Sequence, residues 1–225
     1  SGEGTEWGSL HPCCLSGSAR FFKPAYSIFL INKWLPSIKG AVKTLSKGGS
    51  FADIGCGFGH STTMIAEQFS QSSVRGIDPH GQSIHEARKI AEQKNLINLS
   101  YEIATAENYS GEYDIISFFD CLHDMGNPVG AVSYAKTKLK PGGALMIVEP
   151  YANDEVSKNF NIIGQMYYSF STIACVPASK SQEGGMALGA QAGLKKLTNV
   201  LNNGGFSKVE MTYKTASNMV IEARI

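Results

Sequence analysis

The chain has no apolar run of the length a membrane span needs, and its first residues lack the charged and apolar regions of a secretory leader. It has no basic patch either. Twenty Lys and Arg are scattered among 19 Asp and Glu, giving a net charge of +1, so nothing argues for a nucleic-acid surface. Cysteine is sparse: five occur, at positions 13, 14, 56, 121 and 175. The odd count and the lack of paired spacing argue against a disulfide framework and against a zinc site, and no metal is expected. Cys13 and Cys14 are adjacent, which alone does not make a redox or metal motif. No internal repeat or low-complexity tract occurs. What remains is an ordinary globular composition, 43% apolar and 17% charged over 225 residues, enough to bury the core of one α/β domain or at most two small ones. Cytoplasmic residence is the expectation. Ser1-Gly2 begins without an initiator Met, which fits a piece of a longer protein.

Along the chain, residues 1–20 are polar and turn-rich and read as an arm. Between Phe21 and Lys47, Tyr26, Phe29, Leu30, Trp34, Leu35 and Ile38 recur at roughly helical spacing, and Pro36 divides the segment into two short helices. Strands and helices then take turns. Strands are expected at Ser50–Gly55, Val74–Asp78, Leu99–Thr105, Tyr113–Phe119 and Ala144–Glu149. Helices are expected at Ser61–Ser70, Ser83–Lys94 and Val129–Leu139, the last ended by Pro141-Gly142-Gly143. This alternation implies a parallel sheet with helices on both faces. Lys158–Ala174 and Ala187–Leu201 read as helices. Ser207–Thr215 and Asn218–Arg224 read as a terminal hairpin that makes the sheet mixed.

The stretch Asp53-Ile54-Gly55-Cys56-Gly57-Phe58-Gly59-His60 lies at the first strand-to-helix turn, on the edge where ligands of such sheets bind. Its glycines remove Cβ atoms and permit positive φ, and the helix that follows offers free N–H groups. The dinucleotide fingerprint requires a third glycine where His60 stands, and a phosphate loop requires a Gly-Lys-Ser/Thr that is absent. A tight turn with no ligand is the plainer reading of the loop alone. However, Asp78 ends the second strand 19 residues after Gly59, where a carboxylate can accept hydrogen bonds from both hydroxyls of a ribose.

With "FADIGCGFGHST", "VRGIDP", "YDIISFFDCLHDM" and "LKPGGALMIVEP" in this order, the chain resembles the class I S-adenosylmethionine-dependent methyltransferases over residues 50–150. "FFKPAY", "WLPSIKG", "PASKSQE" and "ALGAQAG" extend the similarity, over nearly the whole chain, to a bacterial subgroup of uncharacterised methyltransferases that often carry an N-terminal winged-helix dimerisation domain. The resemblance implies a Rossmann-like, doubly wound, seven-stranded mixed sheet with a C-terminal antiparallel hairpin. It implies S-adenosylmethionine as cofactor and a homodimer. Residues 1–47 would form an arm and helices covering the site, and residues 48–225 the methyltransferase domain, with a helical insertion at about 151–203. Carried over position by position, Asp53 would orient the methionyl amino group, while Gly55, Gly57 and Gly59 line the methionyl and ribose portions. Asp78 would hold the ribose, Pro79 or His80 flank the adenine, and Phe119 and Asp120 close the methionine side. The family often places an Asp at the end of the third strand. Thr105 stands there instead, so the adenine contact falls to Thr105, Ala106 or Glu107.

Methyl transfer from a sulfonium needs an acceptor held about 3 Å away on the displacement axis, with a base only where the acceptor must lose a proton. His123 and Asp124 follow the fourth strand, and Glu149 ends the fifth. His123 is the candidate base, or a structural residue of the turn. Asp124 would orient it, although neighbours on a helical turn do not face each other. Glu149 would contact the acceptor or fix the loop. Asp120, Asp124 and Asn127 lie close enough in sequence to consider a divalent ion, but a solvated loop is the expectation. The Met- and aromatic-rich stretch 161–175 is core or pocket wall, and residues 177–193 a lid or a connector. The activity expected is methylation of a small, largely apolar molecule at oxygen, not of nucleic acid and not at a membrane. A cofactor-binding protein without transferase activity, a nicotinamide-dependent oxidoreductase and a protein methylase are the alternatives.

Overall fold

The computed structural model of the chain describes residues 2–225. Seven strands form one sheet in the order β3-β2-β1-β4-β5-β7-β6. The strands are β1 (Ser50–Ile54), β2 (Ser73–Asp78), β3 (Leu99–Ile103), β4 (Tyr113–Phe119), β5 (Leu139–Pro150), β6 (Lys208–Lys214) and β7 (Asn218–Arg224). The first five run parallel, and β7 inserts antiparallel between β5 and β6. β1 and β4 are neighbours although two strands, β2 and β3, separate them in sequence, so the topological switch point lies between them.

Period-two alternation on the central strands sends side chains to two cores. Ala52, Ile54, Ile116, Phe118, Leu145 and Ile147 face one layer, with α6 (Pro128–Lys138) and α9 (Gly193–Asn203). Phe51, Val74, Ile115, Met146 and Val148 face the other, with the N-terminal helices, α3 (Ala41–Ser46) and α4 (His60–Gln68). Strands buried on both faces explain the near-continuous apolar run of Tyr113–Phe119. Between β2 and β3, α5 (Gly81–Gln93) packs Ile84, Ala87 and Ala91 against Tyr101.

The N-terminal segment departs from the sequence expectation. Residues 12–20 are not an irregular arm: α1 spans Pro12–Ala25, with Pro12 in the first turn and the Cys13 N–H donating to His11 Nδ1. The helix continues as a π-helical stretch, Tyr26–Trp34, and then α2 (Leu35–Ser37). Pro36 is tolerated there because it lies in the first turn of α2, and the break comes after Ser37, before Gly40 at φ 81°. Tyr26, Leu30 and Trp34 are buried in the same core as Phe51.

Two further boundaries moved. β5 begins at Leu139, and Pro141-Gly142-Gly143 lies in the irregularity that precedes the regular ladder opposite Ile115. The insertion contains α7 (Ile162–Phe170), a π-helical turn Ser171–Cys175 and α8 (Val176–Lys180). The helix expected from Ala187 starts only at Gly193, because Gly184, Gly185, Ala187 and Gly189 all adopt positive φ. Among the described residues, no helix is long and apolar enough to cross a membrane.

Candidate active site

At the carboxyl edge of the sheet, one cavity of about 1450 Å³ runs from the β1–β2 ends to the insertion. Most single-ligand pockets fall in the range of roughly 300–1,000 Å³, so this one has room for two molecules. It is lined by Gly55, Gly57, Asp78, Pro79, Thr105, Ala106, Glu107, Phe119, Asp120, His123 and Asp124. Eleven of the fourteen residues singled out from sequence thus meet in one place. The other three, Asp53, Gly59 and Glu149, stand behind its wall.

The glycine loop explains part of this split. A Cβ on Gly57 would meet nothing within 4 Å, so this position opens onto the cavity. A Cβ on Gly59 would lie 2.2 Å from Tyr101 Oη, so that glycine serves the packing of the loop on β3 rather than lining the cavity as expected. Asp53 likewise faces inward. Its Oδ2 accepts hydrogen bonds from Ser61 Oγ (2.6 Å) and Thr62 Oγ1 (2.8 Å), which ties the first turn of α4 to the end of β1. Burial lifts its carboxyl to about 7 against those two bonds, and its Oδ1 has no partner.

Asp78 is fixed by main chain at both oxygens. Gly57 N–H donates to Oδ2 (2.9 Å) and His80 N–H to Oδ1 (2.8 Å). Burial raises its pKa and these two bonds oppose the rise. The His80 ring is itself held by a 2.8 Å Nδ1–Ser83 Oγ hydrogen bond. Beyond β3, Thr105 begins a turn in which its N–H donates to Asn108 Oδ1, and Asn127 Nδ2 donates to the Glu107 carboxylate at 3.3 Å. Asn127 also caps α6, its Oδ1 accepting from Gly130 N–H.

At the other end, Asp120 leaves β4 at φ 50° and is nearly buried. Tyr26 Oη donates to its Oδ2 (3.0 Å) and Asn218 Nδ2 to its Oδ1 (2.9 Å). Burial and then the Glu149 charge push its carboxyl up to about 8. Asn218 carried no sequence signal, since it follows Asp120 by 98 residues and lies in an ordinary hairpin strand. Tyr26 was expected, with Phe21 and Phe22, to cover the cofactor, but not to bond Asp120.

His123 sits between two carboxylates on a single 3₁₀ turn, Leu122–Asp124. Its Nδ1 bonds Glu149 Oε2, and Glu149 Oε1 accepts from Leu122 N–H at 2.9 Å. Asp124 Oδ1 lies 3.1 Å from His123 Nε2, within ion-pair range but without hydrogen-bond alignment. The approach doubted from adjacency along a helix does occur, within ion-pair distance. Burial alone would lower the His123 pKa, but Asp124 and Glu149 outweigh it and hold the ring well above its usual value. Both nitrogens are therefore engaged around an imidazolium, which argues against a free base at this ring. Glu149, 2% exposed, fixes the turn and does not reach the cavity. His123, Asp124 and Cys175 offer donor atoms within 4.8 Å of one another. The charge balance of imidazolium and carboxylates accounts for that cluster without an ion. Asp120, Asp124 and Asn127 do not converge: each is committed to different partners.

A family model described as a methyltransferase domain matches residues 45–205. Among curated proteins, the ubiquinone biosynthesis O-methyltransferase of Acinetobacter baylyi is 28% identical over 153 residues, 65% of this chain. The aligned part makes up 60% of that relative, so the chain spans well under two thirds of its length. Among solved structures, an O-methyltransferase family protein from Burkholderia thailandensis superposes with a TM-score of 0.70 at 16% identity, covering 93% of this chain and 57% of that one. A magnesium protoporphyrin IX methyltransferase from Synechocystis PCC 6803, solved with bound SAM, has a TM-score of 0.59 at 16% identity, covering 96% and 86%. The match over most of the chain, and the seven-stranded mixed sheet with a C-terminal antiparallel hairpin that the resemblance implied, place the protein in the methyltransferase-domain family with the class I S-adenosylmethionine-dependent fold.

Proposed function

We propose that the protein transfers a methyl group from S-adenosylmethionine to a small, largely apolar acceptor, at oxygen. The observation that carries this reading is a single cavity joining Gly57 and Asp78 at one end to His123 and Asp124 at the other. The cofactor supplies a methyl already activated as a sulfonium, so the protein's task is placement and exclusion of water. The residues present fit such a group: open space over Gly57, a carboxylate at Asp78 positioned by two N–H groups, and the Thr105–Glu107 turn beside it. Asp78 would hold the ribose hydroxyls, with Pro79 and His80 flanking the adenine next to Thr105, Ala106 and Glu107. Gly55, Gly57, Phe119 and Asp120 would enclose the methionine end. Asp53 and Gly59 act from behind, by fixing the loop and the start of α4.

At the acceptor end, Asp124 is the group that accepts the hydroxyl hydrogen. The charged His123 ring favours negative charge growing on the acceptor oxygen. Glu149 positions that ring through Nδ1. Groups used in this way contribute about 10²–10⁴-fold. An acceptor other than nucleic acid, cytoplasmic residence and a homodimer belong to the same reading, resting on charge distribution and on the resemblance.

The test is a calorimetric titration with S-adenosylmethionine, S-adenosylhomocysteine and NAD, with Asp78→Ala alongside. Micromolar binding of the first two, weakened about 10–150-fold in the variant, is expected. Binding of NAD alone would move the protein to hydride chemistry.

A further inference from the structure

The acceptor half of the cavity has a continuous aromatic wall. Phe21, Phe22 and Tyr26 on the N-terminal helix meet Tyr167 and Phe170 on α7. Ring centroids are 5.1 Å apart for Phe21–Phe22, 5.3 Å for Phe21–Phe170, 6.4 Å for Phe21–Tyr167 and 6.2 Å for Phe22–Tyr26. Tyr26 reaches on to Phe119 at 5.7 Å, so the wall runs from the insertion to the end of β4. Planar faces at these separations favour flat aromatic ligands by stacking or edge contact.

Histidines apart, the ionic side chains around this wall are all acidic. Among the described residues lining the cavity there is no Lys or Arg, whereas Glu6, Asp78, Glu107, Asp120, Asp124 and Glu183 all line it. Three histidines also line it. The His123 charge is already met by Asp124 and Glu149. His60 is held below its usual pKa by burial and by Lys23, an exposed residue that does not itself line the cavity. His80 lies at the Asp78 end. A carboxylate or phosphate brought here would lose hydration and find no Lys or Arg to replace it, the His123 charge being shared between two carboxylates already.

Resting on the methyl-transfer reading above, we infer that the acceptor is a planar aromatic compound with no negative charge, selected by the Phe21–Phe22–Tyr26–Tyr167–Phe170 wall and by the absence of any Lys or Arg among the described residues lining the cavity. The pocket discriminates by charge as well as shape, and acceptors that carry free carboxylates are excluded even when their ring fits.

The experiment uses matched pairs: methyl esters of hydroxybenzoic and hydroxycinnamic acids against the free acids. Each is titrated calorimetrically into the full chain with and without saturating S-adenosylhomocysteine. The esters are expected to bind about tenfold or more tighter than the acids. Phe170→Lys, which adds a cation to the half-buried edge of the wall, is expected to shrink that ratio to within about threefold. Acids binding as tightly as esters would overturn the inference. So would a chain that binds S-adenosylhomocysteine but no member of any pair. Failure of S-adenosylhomocysteine to bind would instead sink the methyl-donor reading, leaving the ester-to-acid ratio measured without it to decide this one.

Discussion

At the Asp78 end of the cavity the polar groups are held mostly by main chain close in sequence. Gly57 and His80 N–H groups fix one carboxylate, within a strand, a loop and the start of a helix. At the His123 end, side chains from distant elements fix one another: Tyr26 from the N-terminal helix, Asn218 from β7 and Glu149 from β5. The first arrangement is preorganised by backbone and tolerates change in its surroundings. The second depends on the whole sheet being assembled, with burial raising the pKa values of Asp120 and Tyr26. A shared fold can therefore keep the first end while the second is rebuilt for a new acceptor.

That contrast can be broken most directly at Asp124. Asp124→Asn is expected to lower turnover by about 10²–10⁴-fold while leaving S-adenosylhomocysteine affinity unchanged, as steady-state kinetics and calorimetry would show. A parallel loss of cofactor affinity would mean that the two ends are not separable. The two glycines of the loop sharpen the same division. Gly59→Ala drives a methyl into Tyr101 at a left-handed φ of 71° and is expected to cost about 2–4 kcal/mol in urea unfolding. Gly57→Ala has open space, so only its backbone strain of about 1 kcal/mol should appear in stability, with the larger effect on cofactor binding. Equal destabilisation by both would refute the assignment of one to packing and the other to the cavity. Asp78→Ala is expected to weaken cofactor binding by about 1.5–3 kcal/mol, the range for hydrogen bonds to a charged group. A saturating concentration should restore turnover.

The smallest effect is the pH dependence of the free protein. Asp53 and Asp120 are raised from near 4 to about 7 and about 8. Between those values the folded state keeps protons that the unfolded chain has released. These two groups therefore favour folding most at low pH, and that contribution is lost as pH rises through 7 and 8. Thermal melts should show the midpoint falling across pH 5–8, less steeply in Asp120→Asn. A midpoint that climbed with pH over this window would contradict the burial of both carboxylates.

The same division governs what could be read from sequence. Gly57, Asp78 and the strands around them were legible because strand, loop and helix follow one another within 30 residues and each has a local pattern. The 3₁₀ turn that joins His123 to Asp124 was not, since adjacency on an α-helix argued against the pair. The burial of Glu149 was not, because period-two alternation does not say which strand end is capped by a turn. The helix from Pro12 was masked by polar residues on its exposed face, and the start at Gly193 by a helical-looking composition whose glycines take positive φ. In each case the deciding partner was remote in the chain or the backbone conformation outweighed composition.

The bond from Asn218 to Asp120 bears on the order in which the protein can be made. A ribosome delivers Asp120, the central strands and the glycine loop long before the residue that completes their acidic corner, 98 positions later. Until β7 threads between β5 and β6, Asp120 lacks the Asn218 bond and β5 presents a bare edge. The acceptor end is therefore assembled after the donor end, and a nascent chain stalled before the hairpin would carry a formed glycine loop and an unfinished acidic corner.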